Sequence, residues 1–548
     1  MSLQSSAVYR VPEETETVAR AAFPRGNVYI RVVDELGALY TDSRFADLFP
    51  KDGQPAISPA QLALVTIFQF AEGLSDRQAA EAVRARIDWK YALGLELSNP
   101  GFDASVLSEF RARLIEHGAE TRLFETMLAL LRERKLVKPR SRQRTDSTHV
   151  LAAIHVLNRL ELVGEAMRHA LNTLATVVPQ WLRGWVPGEW FDCYGRRFEE
   201  YRLPDSLQER TALAERIGSD GRRLLEEVYN NAGTAGWLRE VPAVETLRRV
   251  WVQQFHAGEP IRWRAASDLP PAPLLISSPY DPDARYSKKR ETVWTGYKAH
   301  LTETCDEDTP NIITDVCTTQ ATTTDNAVTG MIQERLAERG LTPREHIVDI
   351  AYVTSDHIVN SRDQHECDLL GPIHDDYSWQ GRAGEGFASA NFTIDWEGQY
   401  AICPRGNTSM HWKPTRDSSG RDVVRIRFWP SDCDPCPVRP VCVASKRSRT
   451  LMMRPQPQFE ALQAARRRQE TEEFKDRYAS RAGIEGTISQ GVHVSDLRRT
   501  RYKGLEKTRL LHLLIATAMN LLRVAAWLAE RPRSQTRQSA FRALAPVA

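Results

Sequence analysis

Between residues 293 and 370, strand-like segments surround one helical segment, and this order constrains the fold more than any other feature of the sequence. The helical segment, DNAVTGMIQERLAERG, has a start signal at Asp325 and a stop signal at Gly340. Strands joined by a crossover helix form a mixed α/β sheet, so we predict an α/β core. The strand-like segments are, in order, TGYKAHLTET, NIITDVCTTQ, HIVDIAYV and DLLGPI.

Helical segments precede this core. Before about residue 135, Ser58 and Ser75 indicate helix starts, and Gly73 and Gly118 indicate helix ends. Three closely spaced helices fit either a helix-turn-helix type of DNA-binding domain or a plain helical bundle. A second, longer helical region follows the strand RQRTDSTHVLAAI and contains six tryptophans.

The segment from about residue 378 to 450 is rich in Gly, Pro, Trp and Cys and shows little periodicity, so we predict an inserted module. Four of the eight cysteines of the chain lie in it, two of them as Cys-x2-Cys. This spacing predicts a structural zinc site, with His411 as an alternative ligand and unpaired thiols as the alternative to zinc. The four cysteines are Cys403, Cys433, Cys436 and Cys442.

Two aspartates fall on predicted strands. Asp146 lies at the apolar end of the first strand, and Asp349 lies inside a second one, between Val348 and Ile350. A buried carboxylate must be paired, neutralised or bound to a metal, because leaving it bare costs several kcal/mol. A salt bridge or a helix cap explains one such residue. Two of them on separate strands of one sheet favour a metal site.

A third acid lies in the predicted helix KDRYASRAGIEGTISQ. Tyr478, Arg481 and Glu485 are spaced by three and four residues, which places them on one helical face. A surface ion pair between Arg481 and Glu485 is the alternative interpretation. That pair explains neither Tyr478 nor the helix-weakening Gly483 and Gly486, which leave room for a bulky ligand such as a DNA backbone.

The spacing Tyr-x2-Arg-x3-Glu resembles the Tyr-Arg-Glu-Lys signature of bacterial insertion-sequence DDE transposases, specifically the insertion-sequence group called eleven-eighty-two. Similar stretches cover most of the chain from about residue 25 to 530. One position departs from the signature, because Val492 stands where a Lys or Arg is expected. Arg498, Arg499 or Lys503 is then the source of the missing charge. The similar stretches are ISPAQLALVTIFQFAEGLSDRQAAEAV, TDSTHVLAA, DPDARYSKKR with TGYKAHL, VDIAY and DLRRTRYKGLEKTRLLHLLIATAMNLLRV.

The resemblance implies a ribonuclease-H-like catalytic core with a helical N-terminal domain, a helical insertion and the Cys-rich insertion. It implies that Asp146, Asp349 and Glu485 hold two Mg²⁺ or Mn²⁺ ions about 3.5 to 4 Å apart. Tyr478 and Arg481 then contact phosphates at the cut end, since arginine can hold a phosphate with two nitrogens. The implied partners are double-stranded DNA, as terminal inverted repeats and target, and further copies in a homodimer or larger synaptic complex.

Charge is unevenly distributed along the chain. The net charge is +2, but Arg132 to Arg144 carries seven basic residues against one acid, and Arg498 to Arg509 carries six against one. Such runs favour a nucleic-acid contact, with a solvated face as the alternative. The N-terminus lacks a signal-peptide pattern, and Leu510 to Leu528 is interrupted by polar residues. We therefore predict a core helix without a membrane span, and a cytoplasmic, nucleoid-associated protein.

The sequence as a whole predicts a DDE transposase that cleaves DNA ends and joins them to a target. The alternatives are a DNA nuclease of the same fold without strand transfer, a non-catalytic DNA-binding regulator, and a degenerate, inactive transposase. The predicted domains are a helical DNA-binding domain 1–135, core segments 136–156 and 276–377, a helical insertion 157–275, a zinc-type insertion 378–450, C-terminal core helices 451–530 and a disordered tail 531–548.

Overall fold

The computed structural model describes residues 2–3, 9–230, 235–444 and 447–532. Its N-terminal region is helical, as predicted. The Ser58 hydroxyl accepts from the Gln61 amide, Ser75 and Gln78 form a capping box, and Gly73 ends a helix with φ +68°. Seven helices result: α1 Glu13–Ala22, α2 Val28–Leu36, α3 Pro59–Glu72, α4 Asp76–Ala85, α5 Ile87–Leu93, α6 Ser105–Glu116 and α7 Arg122–Glu133.

The first long strand leads into a helical region with a core of its own. Trp181, Trp185 and Trp190 contact one another edge-on in this core, with ring centroids 5.4 and 5.7 Å apart. The large aromatic rings therefore build a compact helical insertion. Its elements are β1 Arg140–Leu151, α8 Arg159–Val177, α9 Pro179–Arg183, α10 Glu189–Tyr194, α11 Leu207–Tyr229, α12 Pro242–Gln254, β2 Phe255–His256 and β3 Arg262–Trp263.

A six-stranded mixed sheet forms the centre of the molecule. The first long strand, β1, pairs antiparallel with one neighbour and parallel with the other. Five strands run in the spatial order β6-β5-β1-β7-β8, and β4 pairs with the start of β5. The mixed α/β architecture with a helical N-terminal region is thus confirmed. The elements are β4 Arg285–Lys289, β5 Thr292–Thr304, β6 Ile313–Gln320, α13 Thr329–Glu338, β7 Pro343–Val348, α14 Ser355–His365 and β8 Asp368–Leu370.

The Cys-rich segment folds around a small apolar core. The expectation of little periodicity is wrong for residues 422–428, where DVVRIRF alternates between exposed and buried side chains. Alternation allows this strand to cover the small core with one face. The elements are α15 Trp379–Ala383, β9 Thr393–Asp395, β10 Tyr400–Ile402, β11 Ser409–Arg416, β12 Asp422–Phe428, α16 Pro430–Cys433, α17 Arg439–Cys442 and β13 Thr450–Met453.

Four helices complete the described chain: α18 Gln456–Arg468, α19 Glu472–Ala479, α20 Ala482–Ser495 and α21 Leu505–Leu528. By length and composition α21 could cross a membrane, but 78% of its most apolar window is buried within the protein. Its polar side chains interact with other parts of the protein. His512 is hydrogen-bonded to Thr318, Asn520 is hydrogen-bonded to the Ile313 backbone, and Arg523 forms an ion pair with Glu303. It is the predicted core helix. Most of the predicted tail, from residue 533, lies outside the described residues.

The basic run 132–144 is largely used inside the protein. Arg144 pairs with buried Glu303 and Arg142 pairs with Glu345. Four more basic residues of the run bond backbone carbonyls or an acid. A charge already satisfied within the fold contributes little to binding a polyanion. Those four residues are Arg132, Arg134, Lys138 and Arg140.

Candidate active site

Asp146 and Asp349 occupy neighbouring positions at the centre of the sheet. In the parallel pairing of β1 with β7, Thr145 lies opposite Val348, the last residue of β7. Asp146 and Asp349 are the next residue on each chain. The register therefore places the two carboxylates side by side.

The expectation that Asp349 lies in the middle of a strand is wrong. Strand β7 ends at Val348, and Asp349 is half-buried at the start of a 3-10 turn over Ile350–Tyr352. Its carboxylate accepts a hydrogen bond of 2.8 Å from the Ile350 amide. Asp349 thus lies just beyond the end of β7, whereas Asp146 lies near the middle of β1, so the expectation that Asp146 lies at the apolar end of its strand is wrong.

Asp146 is only 13% exposed and belongs to β1. Its carboxylate accepts a hydrogen bond of 2.8 Å from the Ser147 amide. Burial raises its pKa, the Arg481 charge and the Ser147 bond oppose that shift, and the Asp349 charge adds to it. A cation bound between Asp146 and Asp349 would offset the effect of the Asp349 charge on Asp146.

Glu485 lies in the first turn of α20, and its side chain is 67% exposed. The prediction of a single helix over residues 475–490 is wrong, because the helix is interrupted between α19 and α20. Tyr478 thus lies in the last turn of α19, Arg481 is the N-cap residue of α20, and Glu485 follows one turn later. The three residues still approach one another, but across a helix break.

Arg481 connects two of the three acids. Its guanidinium donates to Asp146 Oδ2 at 2.5 Å and to Glu485 Oε1 at 3.2 Å. Although burial alone lowers its pKa, the surrounding carboxylates, Asp146 foremost, raise it above its usual value. The Nε atom is buried and has no hydrogen-bond partner among the described residues. One cationic group is therefore already held jointly by Asp146 and Glu485.

Tyr478 lies within electrostatic reach of all three acids. Its ring stacks on Phe474, with centroids 5.5 Å apart and planes 11° from parallel. Burial raises the pKa of its hydroxyl, and the charges of Asp349, Asp146 and Glu485 raise it further. The structure thus brings together Asp146, Asp349, Glu485, Arg481 and Tyr478.

The two glycines of α20 differ in their surroundings. A Cβ atom on Gly483 would lie 2.1 Å from Nη1 of Arg144, which donates to the Ser480 carbonyl. The expectation that Gly483 makes room for DNA is therefore wrong, since it makes room for a buried arginine. Gly486 has no atom within 4 Å of its Cβ position and faces open space.

The residues expected to replace the missing lysine lie on one exposed segment. Val492 is half-buried and packs against the main core. The Arg498 guanidinium donates a hydrogen bond of 2.8 Å to Thr148, which lies two residues beyond Asp146 on β1. The backbone of Arg499 forms a β-bridge with Leu151, at the end of the same strand. Lys503 lies further along, over the Tyr280 ring. Arg498 is therefore the closest of the three to the acids along β1.

A basic cleft lies beside the acids, and the sequence did not predict it. Lys288, Lys289 and Lys298 line a cavity of about 420 Å³ together with Ile350, which follows Asp349. The Lys289 charge also lowers the pKa of Asp146, against the larger effect of burial. The cationic string RYSKKR contains Lys288 and Lys289, and TGYKAHL contains Lys298, but only the fold brings the three lysines together here.

Asp325, predicted as a helix cap, begins a 3-10 turn and pairs with Lys298 at 3.1 Å. It also accepts a hydrogen bond of 3.4 Å from Ser147, the residue after Asp146. Asp325 is therefore paired with Lys298, whereas Asp146 and Glu485 are both paired with Arg481.

The zinc prediction is not confirmed. Within the described ranges, no three or more His, Cys, Asp or Glu side chains are arranged as a preformed metal site, and this holds for the four cysteines as well as for Asp146, Asp349 and Glu485, of which the first and last are paired with Arg481. Cys403, Cys433 and Cys442 nevertheless pack on the same small core, and the Asn407 amide donates to Cys403 Sγ at 3.3 Å. Burial raises the pKa of Cys442, and the nearby Cys433, Cys436 and Cys403 add to this effect. Of the other cysteines, Cys305, Cys317 and Cys367 are buried, whereas Cys193 is half-buried.

Comparison with known families decides the class of protein. Residues 402–525 match a family model described as a transposase DDE domain, and residues 18–113 match a transposase domain, DUF772. The chain is a transposase. A DDE domain is that of an enzyme that cleaves DNA and transfers its strands, so the transposase is favoured over a non-catalytic regulator. The DDE match includes Glu485, while Asp146 and Asp349 precede it. Neither the curated proteins nor the solved structures contain a match to this transposase.

Proposed function

We propose that Asp146, Asp349 and Glu485 are the catalytic metal ligands of this transposase. The observation that carries the proposal is their convergence: the register sets the two aspartates side by side, and one guanidinium contacts Asp146 and Glu485. The strand order β6-β5-β1-β7-β8 supports a ribonuclease-H-like core. The motif resemblance supports assignment to the eleven-eighty-two group.

DDE transposases use divalent metal ions, and three carboxylates fit Mg²⁺ or Mn²⁺ because hard cations prefer oxygen ligands. Two such ions, when bound, activate the attacking oxygen and stabilise the leaving one. The residues of the chain hold and orient the DNA. Arg481 and Tyr478 contact the phosphate at the cut end, and Arg498, Arg499 and Lys503 contact the backbone, since the exposed side chains of these last three form no ion pair among the described residues.

The proposed DNA partners are the terminal inverted repeats of the element and the target duplex, engaged by a homodimer or larger synaptic complex in the bacterial cytoplasm, at the nucleoid. The N-terminal helices 1–135 are proposed to bind DNA. Cys403, Cys433, Cys436 and Cys442 are proposed to hold a structural zinc ion, because four thiols in one short module are a suitable ligand set.

The catalytic assignment is tested with Asp146→Asn, Asp349→Asn and Glu485→Gln. Each is expected to reduce Mg²⁺-dependent cleavage of transposon ends on the order of 1,000-fold or more, or about 4 kcal/mol in the barrier. DNA affinity should stay within a few-fold of the wild type. Joining of the cut 3′ ends to a plasmid distinguishes a transposase from a nuclease that only cuts.

The matched control is Asp325→Asn. Its carboxylate lies near Asp146 but is paired with Lys298, so cleavage should persist. A folded Asp146→Asn protein that cuts transposon ends at the wild-type rate would show that the assignment is wrong.

A further inference from the structure

The sheet of the Cys-rich module has one apolar and one cationic face. On β12, Val424, Ile426 and Phe428 are buried in the module core, whereas Arg425 and Arg427 point outward and are exposed. Side chains alternate along a strand, so the two arginines share one face.

A lysine and a histidine on the neighbouring strand lie directly opposite these arginines. His411 of β11 is registered with Arg427, and Lys413 is registered with Arg425. On the other side, β13 contributes only uncharged partners to this face, Met452 and Thr450. Like charges directly opposite each other destabilise an antiparallel pair. The fold alone therefore does not account for this arrangement.

No acid neutralises this face. Among the residues that the structure describes, Lys413, Arg425 and Arg427 have neither an ion pair nor a side-chain hydrogen bond. The arginines at the turn of the same hairpin are different, since Arg416 pairs with Asp422 and Arg421 pairs with Asp417. Among the described residues of this hairpin, the unpaired Lys413, Arg425 and Arg427 thus lie at the centre of the exposed sheet face, and the paired arginines lie at its turn.

We propose that this face, formed by His411, Lys413, Arg425 and Arg427, binds the phosphate backbone of duplex DNA without reading its sequence. The partner follows from the charge and from the class of protein, because a transposase acts on DNA and phosphates are the complement of a rigid cationic row. The proposal rests on the DNA-directed function and is independent of which carboxylates bind the catalytic metal.

The test compares two double variants of the full-length protein. Arg425→Gln/Arg427→Gln removes two unpaired cations, and Arg416→Gln/Arg421→Gln removes two paired ones from the same hairpin. Binding to a labelled DNA duplex is followed by fluorescence anisotropy over a series of KCl concentrations. The first variant should weaken binding about 10- to 100-fold near 0.1 M salt and reduce the slope of log Kd against log salt by about 2. The control should stay within about two-fold of the wild type.

Folding and catalysis give separate measurements. Because the first variant relieves repulsion across the strands, its melting temperature should equal or exceed that of the wild type. At limiting protein its Mg²⁺-dependent end cleavage should fall in proportion to its DNA affinity, whereas Asp146→Asn should lose cleavage with its DNA affinity retained. A loss of cleavage in Asp146→Asn and a loss of affinity in the arginine variant are therefore distinguishable. Lys413→Gln alone should reduce the salt slope by about 1.

Three results would overturn the proposal. The first is an affinity and salt slope equal to those of the control variant. The second is a loss of binding to an RNA duplex of the same sequence without any loss on DNA. The third is a change in the sedimentation-derived oligomeric state with DNA affinity unchanged, which would make this face a contact between copies.

Discussion

The absence of a side chain has a different consequence at Gly483 than at Gly486, and an alanine variant tests each position separately. Gly483→Ala places a Cβ against the Arg144 guanidinium, which must then leave Glu303, so the variant should lose about 2 to 4 kcal/mol of stability. Gly486→Ala meets open space within a helix, so it should gain about 0.5 to 1 kcal/mol. Thermal unfolding of both variants measures the two changes.

Gly486→Ala should be more stable than the wild type but should bind the cut DNA end more weakly. The reason is that the added methyl group takes the space that this glycine is proposed to leave for the DNA backbone. Equal melting temperatures for the two alanine variants would contradict the different packing of the two glycines.

Among the candidate residues, those with a local signal could be predicted from the sequence. The Tyr-x2-Arg-x3-Glu spacing and an aspartate beside apolar residues are visible in the chain itself. The bond between Arg481 and Asp146 is not, because the two residues are 335 positions apart and meet only through the sheet. For the same reason, the sequence does not predict that Lys288, Lys289 and Lys298 lie beside the acids.

At the scale of elements, Glu303 connects α20, the helix that carries Glu485, to the sheet. This fully buried carboxylate on β5 pairs with Arg144 of β1 at 2.7 Å and with Arg523 of α21 at 2.6 Å. It also accepts a 2.6 Å hydrogen bond from Thr487, on the helix that carries Glu485. Residues of β1, α20 and α21 therefore all contact the Glu303 carboxylate of β5.

Glu303→Gln should destabilise the protein by about 3 to 5 kcal/mol, because two buried arginines lose their counter-charge. The thermal midpoint should fall by roughly 3 to 4 °C, as measured by calorimetry, because the unfolding entropy grows with the length of the chain. Glu291→Gln, at the exposed turn between β4 and β5, is the control and should shift stability by no more than about 0.5 kcal/mol. An unchanged midpoint in Glu303→Gln would contradict this role.

Helix starts were predictable where a side chain caps them, as at Ser58 and Ser75. The break between α19 and α20 was not, because Ser480 and Arg481 keep helical backbone angles and local propensity gives no signal there. The Ser480 carbonyl is instead bonded by Arg144 from a distant strand. Tertiary contacts decide such boundaries.

For the molecule as a whole, three fully buried histidines determine how stability responds to acid. Burial lowers the pKa of His300 and His346 to about 4 and that of His512 to about 3. In the unfolded chain each titrates near 6.5. The unfolded state therefore binds more protons below that pH. The stability these neutral histidines confer is present above pH 6.5 and is lost as the pH falls toward 4 and below.

Each histidine should contribute a loss of about 1.4 kcal/mol per pH unit in that window. His512→Gln should therefore reduce the fall in thermal midpoint between pH 7.5 and pH 5.5, while the wild type shows the full decline. Midpoints that decline in parallel for both proteins would exclude His512 from this effect.

The strand that carries Asp146 is translated well before its partners β5 and β7, and α21 packs back onto α2, α3 and α7. On the ribosome, the N-terminal helices thus emerge long before the helix that covers them, and the first acid emerges long before the other two. The proposed cutting centre is therefore incomplete in a nascent or prematurely terminated chain. Under the proposed assignment, cleavage of DNA has to wait until α20 and α21 have joined the sheet.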